Sequence, residues 1–354
     1  MLAKVAVTGG GRCNVTNSFA NITDLKQAYP RGHKLMKRLF KRFSPEDTCR
    51  WFEDRGVRLV TQEDQCIFPQ TQDAMTIVNT LTFHARRLGV KTVTQWHGTI
   101  ADFTDDVRIA VCTGGQPRPA ALQPYADMGH DIVEPVPSLF TFNIEDTALR
   151  ALMGTVVEAH LAVPGTKFTS EGALLVTHWG LSGPAALKLS SYAARHLHDC
   201  DYRTPVLINW TATPRPDVEA ELQHIILSAP QKLVTNVRPF DLPTRLWTYL
   251  TARAGIAPER RWAEVGKKQL NRLIEVLTAD VQQMTGKGAY KEEFVTAGGV
   301  ALSSVNANTL ESRHRPHLYF AGEVLDVDAI TGGFNLQAAW TMGRIVGEEI
   351  IKMP

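Results

Sequence analysis

The stretch from His317 to Ile351, HLYFAGEVLDVDAITGGFNLQAAWTMGRIVGEEII, limits the possible folds of this chain more than any other. His317 to Ala321 have the length and apolar character of a short buried strand, and Gly322 lets the backbone leave it sharply. Glu323, Asp326 and Asp328 fill an acidic loop, and Thr331-Gly332-Gly333 follows with little side-chain bulk. Leu336, Ala339, Trp340, Gly343, Val346, Gly347 and Ile350 then recur on one helical face. The first amides of such a helix lack partners within it, so Gly332, Gly333 and Phe334 are placed to receive an electron-rich ring edge or a phosphate. A turn that merely closes an α/β domain fits the pattern equally well.

A second glycine turn stands at the opposite end of the chain. Val5 to Thr8 reads as the end of a strand, followed by Gly9-Gly10-Gly11-Arg12-Cys13-Asn14-Val15-Thr16-Asn17. The glycines permit close backbone approach, Arg12 offers a planar cation, and Asn14 and Asn17 both donate and accept. A third turn, Thr113-Gly114-Gly115, ends the apolar run Val107 to Cys112. Between these turns helices and strands alternate, as in an α/β layer. A basic amphipathic helix is expected from Arg31 to Phe43. Ser44 and Pro45 open another that Gly56 ends, and a third runs from about Asp73 to Leu88. Val57 to Thr61, Ile67-Phe68-Pro69 and Val90 to Thr94 read as extended.

From Pro135-Val136-Pro137-Ser138 onward the character turns to β. Thr155 to Val163, Ala173 to Thr177 and Pro205 to Ala212 read as strands of an inserted domain. Within it, His178-Trp179-Gly180-Leu181-Ser182-Gly183-Pro184 invites a serine-hydrolase reading, but the nucleophile elbow needs GxSxG and Pro184 replaces the last glycine. Ser182 is instead expected to cap the helix that Pro184 opens. His178 is either structural or a substrate-side proton donor. Residues from about Asp217 to Met284 carry helical stripes, and Glu293 to Leu302 return as a strand through Gly298-Gly299.

At 354 residues the chain accommodates two or three domains, and its formal net charge of +2 calls for no polyanionic partner. No apolar run is long enough to span a bilayer, and Met1 is not followed by an export signal, so the expected location is the cytoplasm. Cys13, Cys49, Cys66, Cys112 and Cys200 form no CxxC, so neither a metal site nor a redox dithiol is expected. Three Asn-X-Thr sequons, at Asn14, Asn21 and Asn209, carry little meaning without export.

The markers at 8 to 17, 113 to 115, 177 to 184, 295 to 300 and 321 to 336 closely resemble, in sequence and in order, those of the family of FAD-dependent, NAD(P)-linked flavoprotein oxidoreductases that includes aminoacetone oxidase and the bile-acid reductase BaiN. The resemblance implies an α/β fold: a discontinuous FAD-binding Rossmann-like domain of the glutathione-reductase type over 1–134 and 291–354. This domain would hold an inserted β-rich, barrel-like domain over 135–213 and a helical subdomain over 214–290. By the same resemblance Gly9, Gly10, Gly11, Arg12, Cys13 and Asn14 approach the flavin, and Thr113, Gly114 and Gly115 approach the nucleotide. Gly322 and Glu323 would lie by the ribityl chain and pyrophosphate, and Thr331, Gly332, Gly333, Phe334, Asn335 and Leu336 by the isoalloxazine. The implied activity is redox chemistry on a small molecule, with neither nucleic acid nor membrane as partner, in a crevice between nucleotide and inserted domains. The protein would orient the substrate and tune the ring through backbone amides and Glu323. Asp328 and His178 are the candidates for proton transfer. NAD(P)H has no fingerprint of its own in the sequence, and oligomeric state leaves no mark there.

The chain departs from the family pattern in three places. Cys112 stands where alanine is usual, the run from Trp96 to Asp106 is short, and no strand–GxGxxG–helix–strand unit precedes Val5. The last departure gives the expectation of an N-terminally truncated domain lacking its main pyrophosphate cradle. A non-catalytic remnant with weak or no FAD binding is the alternative, and a nucleic-acid binder using the basic segment 31–43 is a rival of another class.

Overall fold

Ser44 starts a helix as its neighbours dictate. Its hydroxyl accepts from the Asp47 amide, the Asp47 carboxylate accepts from the Ser44 amide, and Pro45 occupies the first turn of Pro45–Glu53. Gly56, at φ 81°, turns the chain away after that helix. The computed structural model describes residues 2–288 and 295–352, and its contacts divide the chain into two units, Met1–Pro137 with Val295–Pro354, and Ser138–Phe294. The 135–213 and 214–290 segments thus fall almost wholly into one unit, and the boundary at 290 lies outside the described residues.

The first unit is built from three small sheets and the helices around them. Thr16–Asn17, Cys66–Pro69 and Leu59–Thr61 form an antiparallel sheet with Cys66–Pro69 in the middle. Ile132–Ser138 pairs with Val295–Val300, and Ile109–Val111 pairs in parallel with Leu318–Phe320. Residues 293 and 294 of the expected return strand lie outside the described residues. The helix Phe334–Lys352 begins directly after the Gly332-Gly333 turn and buries Phe334, Ala338, Met342, Ile345 and Val346.

Three expectations for this unit are corrected. Val5 to Thr8 is not a strand: residues Ala3–Gly11 coil on themselves, with the Ala6 amide donating to the Leu2 carbonyl, until Thr8 becomes extended and Gly9 and Gly10 turn left-handed. Periodicity cannot separate a short apolar helix from a strand end. Val90 to Thr94 makes no strand either, since Val90 is 57% and Val93 75% exposed and neither face finds a partner sheet. The basic helix is only His33–Leu39, with Leu35, Met36 and Leu39 buried. Arg38 in its last turn donates to Asn308, and Arg42 beyond it is engaged by Glu348 and Glu349.

In the second unit six strands close into a barrel, in the spatial order Thr204–Asn209, Asp280–Lys287, Phe142–Ile144, Gly180–Ser182, Thr169–Val176 and Val156–Ala162. The alternation in Val156–Ala162, with Val157, Ala159 and Leu161 inward, is what a sheet with one buried face requires. The helices Arg215–Ser228, Thr244–Arg253 and Lys267–Ala279 share one apolar core with this barrel, joining Leu222, Leu246 and Leu273 to Phe142 and Leu161. The helical reading through Met284 is therefore corrected. The helix ends at Ala279 and the chain goes straight into the strand Asp280–Lys287. Ser182 is corrected as well: it belongs to a strand, and Gly183, at φ 88°, occupies the N-cap position of Pro184–Tyr192. Among the described residues no helix is long and apolar enough to cross a membrane.

Candidate functional site

Two parallel strands bring two of the glycine turns side by side. Leu318, Tyr319 and Phe320 are in register with Ile109, Ala110 and Val111, and the Ala321 amide donates to the Val111 carbonyl at 3.0 Å. Both strands therefore release the chain at the same carboxyl edge, the place where open parallel sheets bind ligands. The Gly322 amide is directed at the Met342 sulfur, 3.1 Å away. Across the edge the Glu323 carboxylate lies against Gly115, so closely that a side chain there would start 2.1 Å from Oε1. Glu323 Oε1 accepts from the Thr296 amide at 2.8 Å, and the Lys4 ammonium stands 4.0 Å from Oε2. Burial pushes the Glu323 carboxyl above its ordinary range. Lys4 and the Thr296 amide pull it back, and the nearby Asp328 adds to the rise.

The first and last motifs meet directly. With its amide oriented to satisfy both ends, Asn14 accepts from the Gly333 amide at 3.1 Å and donates to the Thr16 carbonyl at 2.8 Å and the Ile67 carbonyl at 3.3 Å. Asn17 donates to the Gly332 carbonyl at 3.1 Å. Gly333 must be glycine in this arrangement, because a Cβ would lie 2.5 Å from the Thr16 carbonyl oxygen. Thr16 donates to Gln337 at 2.6 Å, and the Trp340 indole donates to the Val15 carbonyl at 2.9 Å. One of the helix-start amides expected to be free, that of Gly333, is thus taken by Asn14.

Phe334 is buried among Phe19 and Tyr29, with ring centroids 5.0 and 6.2 Å away, and the Tyr29 hydroxyl donates to the Phe334 carbonyl at 2.8 Å. Asn335 clamps Ala329 at both its amide and carbonyl, and Leu336 packs against the cluster of Val5, Cys13, Val15 and Phe52. Thr331 is half-buried. Arg12 lies over the Phe68 ring at 4.4 Å and donates to Gln72. Cys13 is fully buried, and burial pushes its thiol up to about 11, which makes it a packing residue rather than a nucleophile.

The two proton-transfer candidates have different fates. Asp328 is completely buried and both its oxygens face the Arg31 guanidinium, with Nη2 and Oδ2 2.5 Å apart, which makes it one half of an ion pair. His178 lies in the other unit on an exposed turn, its ring edge-on to Trp179 and its carbonyl accepting from Arg150. Arg31 and Thr296 went unrecognised as site residues. Arg31 sits in no glycine motif, Thr296 is not one of the glycines of its own, and only tertiary contact gives each its partner. Among the described residues no group of three or more His, Cys, Asp or Glu is placed to hold a metal ion.

Gly10, Gly11 and Gly114 are left-handed and have nothing within 4 Å of the point where a side chain would begin, so the chain leaves that side of them uncovered. Gly115 and Gly333, by contrast, are filled by the chain itself, through Glu323 and Thr16. Open and filled glycines stand side by side in two turns, with Gly9 filled beside Gly10 and Gly11, and Gly115 filled beside Gly114.

The model of the family described as "HI0933-like protein Rossmann domain" matches residues 1–349. The ribosomal RNA dihydrouridine synthase of Escherichia coli strain K12 is 27% identical over 98% of this chain and 89% of its own length. The 3-dehydro-bile acid delta(4,6)-reductase of Clostridium scindens is 26% identical over 99% and 90%, respectively. A ribosomal RNA dihydrouridine synthase from Haemophilus influenzae is 26% identical over 96% and 87%.

Proposed function

The chain belongs to the HI0933-like Rossmann family, and from that premise we propose that it is an FAD-dependent oxidoreductase that adds hydrogen across a ring carbon–carbon double bond of a small molecule. Two lines support the reading. The activities for which the relatives are named, a dihydrouridine synthase and a delta(4,6)-reductase, share that kind of reduction although their substrates differ. The observation that carries most weight is the locking of the Gly9–Asn14 turn onto Gly332-Gly333 through Asn14 and Asn17.

Bound FAD supplies hydride transfer. The chain's own residues bind and orient. Gly10, Gly11 and Gly114 would offer uncovered backbone, Glu323 would offer a held acidic group as acceptor, and the Thr331–Gly333 turn would face the ring. Of the two proton-transfer candidates, Asp328 is consumed in an ion pair and His178 has an exposed ring.

The visible spectrum of the purified protein after incubation with FAD tests the cofactor. A double band that survives desalting supports it, and a colourless protein sinks it. Anaerobic bleaching with NADH and with NADPH then identifies the electron donor. Reoxidation by a panel of cyclic enones tests the substrate class. Two relatives are named for ribosomal RNA, and Lys34 and Lys37 on the helix His33–Leu39 and Lys41 just after it are exposed. Reoxidation by RNA but by no enone would therefore replace the small-molecule substrate with a nucleic acid, and its binding would weaken steeply with salt.

A further inference from the structure

Asp328 is an ionisable group without exposed surface, in a loop that continues into the Thr331-Gly332-Gly333 turn. Arg31 faces both its oxygens, and the two residues also form a backbone bridge. Around this pair the segment from Ala28 to Gly32 runs along the loop. The Ile330 amide donates to the Ala28 carbonyl at 2.9 Å and the Tyr29 hydroxyl to the Phe334 carbonyl at 2.8 Å. Gly32 leaves room for Val327, whose Cγ2 lies 2.6 Å from where a Cβ would begin. Asn17 and Asn14 hold Gly332 and Gly333. The turn is therefore gripped from two separate stretches of chain, and the grip from 28–32 is centred on one charge pair.

A buried carboxylate must be paired, and the planar guanidinium fork sets its orientation as well as its charge. A lysine ammonium neutralises without that fork. We propose that Arg31 is a positioning residue: by holding Asp328 it fixes the Thr331–Gly333 turn in the shape its cofactor contacts require. This assignment rests on the flavin reading above.

The test is FAD titration of the full chain, followed by flavin fluorescence and the visible band, for the parent, for Arg31→Lys and for the paired variant Arg31→Met with Asp328→Leu. Melting without FAD establishes that each is folded, and hydrogen exchange of the amides of 327–334 without FAD reports the turn directly. The pair removes the buried carboxylate and its half-buried partner together and is the variant that keeps the fold if lysine does not. The expected result is a folded variant that binds FAD about tenfold more weakly, with a shifted visible band and faster exchange across 327–334. A folded variant with the parent's FAD affinity, spectrum and exchange overturns the assignment. A parent that takes up no FAD overturns the flavin reading itself, which separates the two failures.

Discussion

The Thr16 hydroxyl lies 2.6 Å from Gln337 Oε1, and both side chains are fully buried. Gln337 also donates to the Thr341 hydroxyl at 3.0 Å, so the pair belongs to a short polar chain inside the first unit. Replacing Thr16 by valine keeps the shape and strands the Gln337 oxygen. The expected loss is about 1–3 kcal/mol, read as a lower urea midpoint with unchanged slope.

Glu323 gives a pH signature. Its carboxyl is raised above the ordinary 4.5 by burial, so the folded state favours the protonated form. That contribution is fully present below 4.5 and is lost as the pH rises through the folded value. Glu323→Gln removes the dependence. Relative to the parent it is expected to gain stability as the pH rises above 4.5, which denaturation midpoints between mildly acidic and neutral pH will show. A difference that stays constant over that range would count against the raised carboxyl.

Gly183 and Ser182 separate two accounts of the same helix start. A Cβ on Gly183 would lie 2.7 Å from the Ala173 carbonyl oxygen at a backbone φ of 88°. Gly183→Ala is expected to cost about 1–3 kcal/mol. Ser182→Ala removes no cap and is expected to cost about 0.5 kcal/mol or less. The reverse order in thermal melts would restore Ser182 as the cap.

Glycine at 115 and at 343 should respond oppositely. Gly343 sits in the exposed middle of the C-terminal helix with nothing within 4 Å, so Gly343→Ala is expected to stabilise by about 0.5–1 kcal/mol. Gly115→Ala drives a methyl group into Glu323 and is expected to weaken FAD binding about tenfold in the same titration.

Much of this arrangement could be read from local chemistry. The capping box at Ser44, the strand before Gly322 and the alternation in Val156–Ala162 are each written in a few adjacent residues. The glycine turns were legible for a related reason, since bare backbone at strand ends has few uses. What escaped depends on partners far along the chain. Arg31 looked like one more cation at a helix start, and only Asp328, 297 positions later, gives it a task. The strand Asp280–Lys287 escaped because the apolar stripe of Lys267–Ala279 runs into it with neither glycine nor proline between, and membership of a barrel decided its state. Val90 to Thr94 failed in the opposite sense: its β-branched residues suit a sheet that does not reach them.

The Asn14–Gly333 lock also sets an order of events during synthesis. Its two halves lie far apart in the chain, and Asn14 is made long before Gly333, so the first unit has to wait, incomplete, for the helix Phe334–Lys352. The barrel unit is one uninterrupted stretch and needs nothing from either terminus to build its core. A stalled chain released before residue 333 would therefore carry a finished barrel tethered to an unfolded leader, and such a nascent product would be cut by protease in its first 137 residues while the barrel survives.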